Sequence, residues 1–310
     1  SHGMETVRGW GFGDAHAVRA EGESMGWPIR ISQAKGQRFN FPPLWGSFSF
    51  SKTLGQNFLI NPDVPVRIAE NAGLDENTTV IEIGPGVGCL TKELSARAKE
   101  VFAIEIDQRL IPVLAETLAD CDNVTVINKD VLKTDLSALC EGKERVCVCA
   151  NLPYYITTPI IMALLEQRLP LSRITVMIQK EVAQRFSAKP GKKEYGAITA
   201  AINWYARPKT LFTVSPGCFM PAPKVESSVI ALDLVPPPVE VKDEKFMFLL
   251  ISAGFEQRRK TLVNALSAKT GIPKTEIEKA VTDCGFEPTV RAERLSVTDF
   301  AALSDRLITQ

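Results

Sequence analysis

Histidine is nearly missing from this 310-residue chain: only His2 and His16 occur, both in a glycine-rich N-terminal stretch. The rest of the chain therefore has no imidazole for a Ser-His-Asp triad, a Cys-His pair or a His-ligated zinc or iron site, and no metal is expected. Seven cysteines are present, an odd number with no C-x-x-C pair, which suits reduced thiols rather than a disulfide framework. Cys147 and Cys149 lie two apart in an apolar run, so both face one side of a strand, where packing is their natural task. Net charge is also absent. Lys plus Arg and Asp plus Glu both number 36, so contact with a polyanion must come from local charge. No apolar run has the length of a membrane span and none reads as a signal peptide, so a cytoplasmic protein without membrane contact is expected. There is no G-K-[ST], which excludes a phosphate loop of the NTPase kind.

What is present reads as an ordinary globular chain, with 45% hydrophobic and 23% charged residues. Residues 1–50 carry scattered glycines and Trp10, Trp27 and Trp45 without helical or strand period, and are expected to be a mobile extension. Strand-like runs come next at Thr79–Ile83, Val101–Ile106, Val124–Asn128, Arg145–Ala150 and Arg173–Ile178, with helix-like Gly88–Ala98, Gln108–Ala119 and Pro159–Gln167 between most of them. Short β-branched strands alternating with helices mean βαβ units, hence an α/β fold with a doubly wound, mostly parallel sheet. Lys209–Val214 and Ser227–Leu234 are expected as an antiparallel pair at the sheet edge. Pro236-Pro237-Pro238 reads as a linker, and from about residue 243 the pattern is amphipathic helix alone. The expected division is an extension (1–50), a sheet domain (51–238) and a smaller all-helical C-terminal domain (239–310).

The chemistry is expected at the carboxyl ends of the strands. Gly84-Pro85-Gly86-Val87-Gly88 follows the first strand of the sheet and opens a helix, the setting in which a ligand can approach the backbone. A tight βα turn without ligand has the same pattern, and Cys89 stands where the dinucleotide fingerprint wants its third glycine. Glu105 ends the next strand about twenty residues on, where a carboxylate accepts from a ribose diol. That carboxylate would repel the phosphate of NADP, which leaves NAD and S-adenosylmethionine. Asp130 follows the third strand and can receive an adenine amino group; each acid alone is equally an N-cap or surface charge.

The fourth strand ends in Asn151-Leu152-Pro153-Tyr154. This tetrapeptide resembles the motif of amino-methyltransferases that act on exocyclic nitrogens of nucleobases. With Leu54-Gly55-Gln56-Asn57-Phe58-Leu59 upstream and Phe219-Met220-Pro221-Ala222-Pro223-Lys224-Val225-Glu226-Ser227-Ser228 downstream, residues 51–310 resemble the ribosomal RNA adenine N6,N6-dimethyltransferase family, and within it the bacterial small-subunit branch. The resemblance implies S-adenosylmethionine as cofactor, with Gln56, Asn57 and Leu59 in a segment closing over it, and Gly84, Gly86, Glu105, Asp130, Val131 and Asn151 around it. It implies Asn151, Leu152, Pro153, Tyr154 and Phe219 as catalytic residues. The N6 of adenine is a weak nucleophile because its lone pair is delocalised, and its proton becomes acidic only after the methyl bond forms. Acceptors that hold the amino hydrogens and favour a pyramidal nitrogen are needed, rather than a base. The Asn151 oxygen and the Leu152 carbonyl suit that role, and the rings of Tyr154 and Phe219 can stack on an extruded base. Leu152 stands where DNA-acting relatives often carry proline, and room there for an already methylated nitrogen is the expectation for a dimethylating enzyme.

The implied partner is small-subunit rRNA in a pre-ribosomal particle, acted on by a monomer. Eight basic residues face three acidic ones over 180–230, against ten and sixteen over 51–150. Lys180, Arg185, Lys189, Lys192, Lys193 and Lys224 therefore form a candidate RNA-binding set, extended by Arg258, Arg259 and Lys260. A solvated charged face reads the same. Two rivals stand beside this reading: a large-subunit rRNA dimethyltransferase of the antibiotic-resistance type, and a non-catalytic ribosome-assembly factor. The long C-terminal domain with Phe255, Gln257, Leu262 and Asn264 around the basic triplet favours the small-subunit reading.

Overall fold

The computed structural model describes residues 56–308. The expected extension over 1–50 lies outside them, as do Leu54 and Gly55. The described chain divides into two compact units, residues 56–183 with 206–234, and residues 184–205 with 235–308. The chain leaves the first unit for good at Leu234. Residues 184–205, expected in the sheet domain, belong instead to the second unit.

In chain order the elements are β1 (Phe58–Leu59), α1 (Asp63–Asn71), β2 (Thr78–Ile83), α2 (Cys89–Ser95), β3 (Glu100–Glu105), α3 (Ile111–Thr117), β4 (Val124–Asn128), α4 (Leu136–Cys140), β5 (Arg145–Asn151), α5 (Thr157–Glu166), β6 (Leu171–Gln179), α6 (Lys180–Phe186), α7 (Ala197–Tyr205), β7 (Ala206–Val214), β8 (Phe219–Met220) and β9 (Ser227–Leu234). Four helices complete the described chain: α8 (Glu244–Glu256), α9 (Leu262–Thr270), α10 (Lys274–Asp283) and α11 (Val297–Ile308).

The main sheet runs β4-β3-β2-β5-β6-β9-β7. The first five strands are parallel, and β9 pairs antiparallel with both β6 and β7. All six residues of β2 are buried, as a central strand covered on both faces requires. Cys147 and Cys149 are fully buried in β5, and burial raises both thiols above their ordinary range. Strand order reverses between β2 and β5, so a crevice opens beyond their carboxyl ends. Beside the main sheet, β1 and β8 form a two-stranded ribbon with Leu59 opposite Phe219.

The second unit is helical. Tyr195, 1% exposed, packs edge-on against Phe255 and donates from its hydroxyl to the Leu295 carbonyl at 2.8 Å. Gly191 N–H donates to the Glu293 carbonyl at 2.7 Å. Tyr195→Phe leaves that Leu295 carbonyl unpaired, at a cost of about 1–3 kcal/mol. Urea unfolding monitored by circular dichroism is expected to show a lower midpoint with an unchanged slope.

Candidate active site

The βα turn after β2 owes its shape to glycine. Gly84, Gly86 and Gly88 have φ of +70°, +60° and +88°, a region that side chains with a Cβ rarely enter. A Cβ on Gly84 would lie 3.7 Å from the Asn151 carbonyl oxygen, and one on Gly86 would lie 3.2 Å from the Phe58 ring. At Gly86 the missing Cβ therefore lets the Phe58 ring of β1 close in, whereas at Gly84 it is the backbone angle that calls for glycine.

The segment at residues 56–61 is fastened at several points. Gln56 Nε2 donates to Asp107 Oδ2 at 2.7 Å, and Asn151 Nδ2 donates to the Asn57 carbonyl at 3.4 Å. Ile60 N–H donates to the Cys218 carbonyl at 2.9 Å. Asp107 also pairs with Arg109 at 2.7 Å, and the guanidinium, with the Gln56 bond, holds its carboxyl below the usual carboxylate range.

Glu105 is 5% exposed and accepts from the main-chain N–H groups of Gly86 (3.2 Å) and Asp107 (2.8 Å). Burial nonetheless raises its pKa, with the Asp107 charge adding to the rise against those backbone donors. Asp130 caps the short turn after β4 through Oδ1, which accepts from Leu132 N–H at 3.0 Å. At the end of β5, Leu152 N–H donates to the Met177 carbonyl at 3.3 Å, and the Leu152 side chain is 2% exposed. Tyr154 shares a 2.8 Å hydrogen bond with the Ser227 hydroxyl and is half-buried. Phe219 is 3% exposed and packs in the core with Leu59, Met177 and Val229 while also lining the cleft.

All thirteen residues expected to bind cofactor or act in catalysis line one cleft: Gln56, Asn57, Leu59, Gly84, Gly86, Glu105, Asp130, Val131, Asn151, Leu152, Pro153, Tyr154 and Phe219. Glu82 lines it too and was not foreseen, although a lone acid in an apolar strand was the available signal. It is 1% exposed, and its Oε2 has no hydrogen-bond partner. Burial, with the Glu105 charge adding, pushes its pKa up to about 8. Burial and Glu82 also push the Cys89 thiol up to about 11, so Cys89 is no nucleophile.

The basic candidates divide between the units. Lys180 and Lys224 belong to the first, where Lys180 pairs with Glu226 at 2.6 Å. Arg185, Lys189, Lys192, Lys193, Arg258, Arg259 and Lys260 belong to the second and are exposed. Arg258 spends Nη2 on the main-chain carbonyls of Lys193 (3.2 Å) and Tyr195 (2.5 Å), so it holds the loop that carries the lysines.

A mostly parallel sheet whose strand order reverses beside a glycine turn, with carboxylates at the end of β3 and after β4 and an Asn-Leu-Pro-Tyr turn starting at the last residue of β5, defines a Rossmann-like methyltransferase. Ribosomal RNA adenine dimethylase is the family model matched by residues 47–309, and the chain belongs to that family. It is similar to ribosomal RNA small subunit methyltransferase A of Bacillus licheniformis, at 51% identity over 270 residues, 84% of this chain and 92% of that one. The same protein of Bacillus mycoides is 51% identical over 269 residues, with the same coverage of both chains. Among solved structures, the 23S rRNA methyltransferase ErmE aligns with a TM-score of 0.65 at 27% identity, over 81% of this chain and all of that one. A dimethyladenosine transferase from Plasmodium falciparum gives 0.65 at 25% identity, over 79% and 95%.

Glu82 predicts a pH dependence. Its folded pKa of about 8 lies above the unfolded value near 4.5, so folding takes up a proton between them. Stability falls as pH rises through that window and levels off above it. Glu82→Gln removes the group, so the melting temperature of the variant minus that of the parent is expected to be more positive at pH 8.5 than at pH 5.5. Equal differences at both pH values would show that Glu82 ionises freely in the fold.

Proposed function

We propose that this enzyme transfers methyl groups from S-adenosylmethionine to N6 of two adjacent adenosines in a hairpin near the 3′ end of small-subunit (16S) rRNA, within a pre-ribosomal particle. It acts in the cytoplasm, as a monomer. The observation that carries the chemistry is the convergence of Asn151, Leu152 and Tyr154 on the cleft that holds the glycine turn and Glu105. The relatives named for the small ribosomal subunit, at 51% identity, favour that target over the large-subunit rival, whose solved structure is 27% identical.

The residues present fit the methyl donor. The turn at Gly84 and Gly86 offers backbone without a Cβ. Glu105 and Asp130 are acceptors suited to a ribose diol and an adenine amino group. Glu82 holds a buried, unpartnered oxygen that suits an ammonium. S-adenosylmethionine supplies, when bound, an electrophilic methyl group on a sulfonium sulfur.

The remaining work falls to the chain itself. The Asn151 amide is oriented by its donation to Asn57, which leaves Oδ1 as the acceptor for an amino hydrogen. The Leu152 carbonyl takes the other hydrogen, and Pro153 fixes the backbone that presents it. Held so, the adenosine nitrogen localises its lone pair toward the methyl carbon, and the surplus proton passes to water after transfer. Positioning and fixed dipoles carry the rate. Tyr154, tied by Ser227, supplies a ring for the extruded base, and Phe219 lines the same cleft. The first unit performs the transfer, and the exposed lysines and arginines of the second meet RNA phosphates.

Two measurements test this reading. S-adenosylmethionine is expected to raise the melting temperature where NAD does not, because only a ligand of the native state stabilises it. On small subunits from unmethylated cells the parent forms N6,N6-dimethyladenosine, and Asn151→Ala is expected to lose at least a hundredfold in rate at saturating S-adenosylmethionine, with a reduced thermal shift because the same side chain also borders the methyl donor. Full methylation by Asn151→Ala, or methylation of large subunits only, contradicts the assignment.

A further inference from the structure

The first unit exposes four large apolar side chains among its described residues: Ile106 (57%), Leu132 (44%), Tyr155 (60%) and Val225 (43%). All four lie at one edge of the sheet. Ile106 follows β3, Leu132 follows β4 and Tyr155 follows β5, while Val225 precedes β9, whose first residue Ser227 pairs with Gln179 at the end of β6. Scattered apolar exposure needs no explanation, but exposure gathered on the edge that carries a cleft does. Ile106 and Leu132 accompany Glu105 and Asp130. Tyr155 and Val225 accompany instead the Asn151–Tyr154 turn and Ser227.

Tyr155 is the most exposed of the four and lines the cleft that Tyr154 enters. The two adjacent tyrosines differ in kind. Tyr154 is half-buried with its hydroxyl bonded to Ser227, whereas Tyr155 turns its ring to solvent. The backbone beneath it is fixed. Ile156 N–H and Thr157 Oγ1 both donate to the Pro153 carbonyl at 3.2 Å, so the turn leads straight into α5. A ring on a fixed pedestal at a cleft mouth loses little conformational entropy when a flat partner settles on it.

We infer that Tyr155 is a second nucleobase platform, on which the base neighbouring the extruded adenosine stacks. The inference rests on the proposed reading of the cleft as an RNA adenosine site. Extruding one adenosine from a strand uncovers a face of the next base, and a solvent-facing ring beside the pocket can cover that face. In a substrate with two adjacent targets, the occupant is a purine, the partner adenosine. Such a platform fixes which nucleotide enters the pocket without touching the transferred methyl group, which makes Tyr155 a specificity-determining residue.

The experiment compares Tyr155→Ala, Tyr155→Phe and the parent on unmethylated small subunits. It reads subunit affinity in the presence of S-adenosylhomocysteine and, by mass spectrometry, the methyl count on each of the two adenosines. Loss of one stacked base is expected to weaken subunit binding roughly tenfold in Tyr155→Ala and to make methylation of the pair unequal. Tyr155→Phe restores both, since the ring and not the hydroxyl acts. The thermal shift with S-adenosylmethionine stays at the parent value in both variants, which shows that the cleft is folded. Parent-like affinity and methyl distribution in Tyr155→Ala overturn the inference, as does a Phe variant as weak as the Ala variant. A parent enzyme that leaves both adenosines unmethylated overturns the proposed function itself, and so the two failures are distinct.

Discussion

The site depends on how closely the ends of β2 and β5 approach each other. Strand order reverses between them, and no crossover helix fills the space beyond their carboxyl ends. The turn after β2 must then reverse sharply, and Gly84 does so at φ +70°, an angle that residues with a Cβ rarely adopt; a Cβ there would stand in ordinary contact, 3.7 Å from the Asn151 carbonyl. At Gly86 the missing Cβ matters for space as well, since one would come within 3.2 Å of the Phe58 ring. A backbone angle at one glycine and a close approach at the other bring the turn, the end of β5 and the segment at Phe58 around a single cleft.

That geometry also sets the electrostatics. Glu82 and Glu105 lie at or near the ends of adjacent central strands, both nearly sealed from water. Burial raises the pKa of each, and the Glu105 charge adds to the rise at Glu82. Two buried carboxyl groups weaken the fold unless something cationic or hydrogen-bonding shares the cleft. Glu105 is partly relieved by two backbone donors, but Glu82 keeps an oxygen without a partner. The cleft therefore carries an electrostatic cost of the kind that clusters at functional sites, and a cationic or hydrogen-bonding group beside Glu82 would relieve it.

The parallel strands were legible because each is a short β-branched run between turn residues, a pattern that survives without tertiary information. The carboxyl-edge acids and the Asn151–Tyr154 turn were legible by position, since their place in the βα order decides where they lie. The β1–β8 ribbon was not, because two-residue strands carry no period. The bond from Gln56 to Asp107 spans 51 residues, and nothing local in either announces it. Helix α7 is apolar enough to show that it is buried, yet its sequence does not say against what. Arg258 stands among basic neighbours in the sequence, and nothing local announces its two bonds to main-chain carbonyls of a loop more than sixty residues away.

The absence of histidine from the described chain is consistent with the chemistry that the cleft supports. A general base accelerates a reaction only where the proton resists leaving before bond formation. At an aromatic amine the proton is firmly held in the ground state and acidic in the alkylated product, so a base matched to pH 7 gains little. Neutral acceptors do more, because an amide oxygen and a carbonyl hold the amino hydrogens in a fixed direction at no cost in charge burial. They must be rigid to act. Asn151 ends a buried strand, Leu152 is sealed in the core and bonded to Met177, and Pro153 admits few backbone angles. In the proposed transfer, rigidity at that turn takes the place of a reactive side chain.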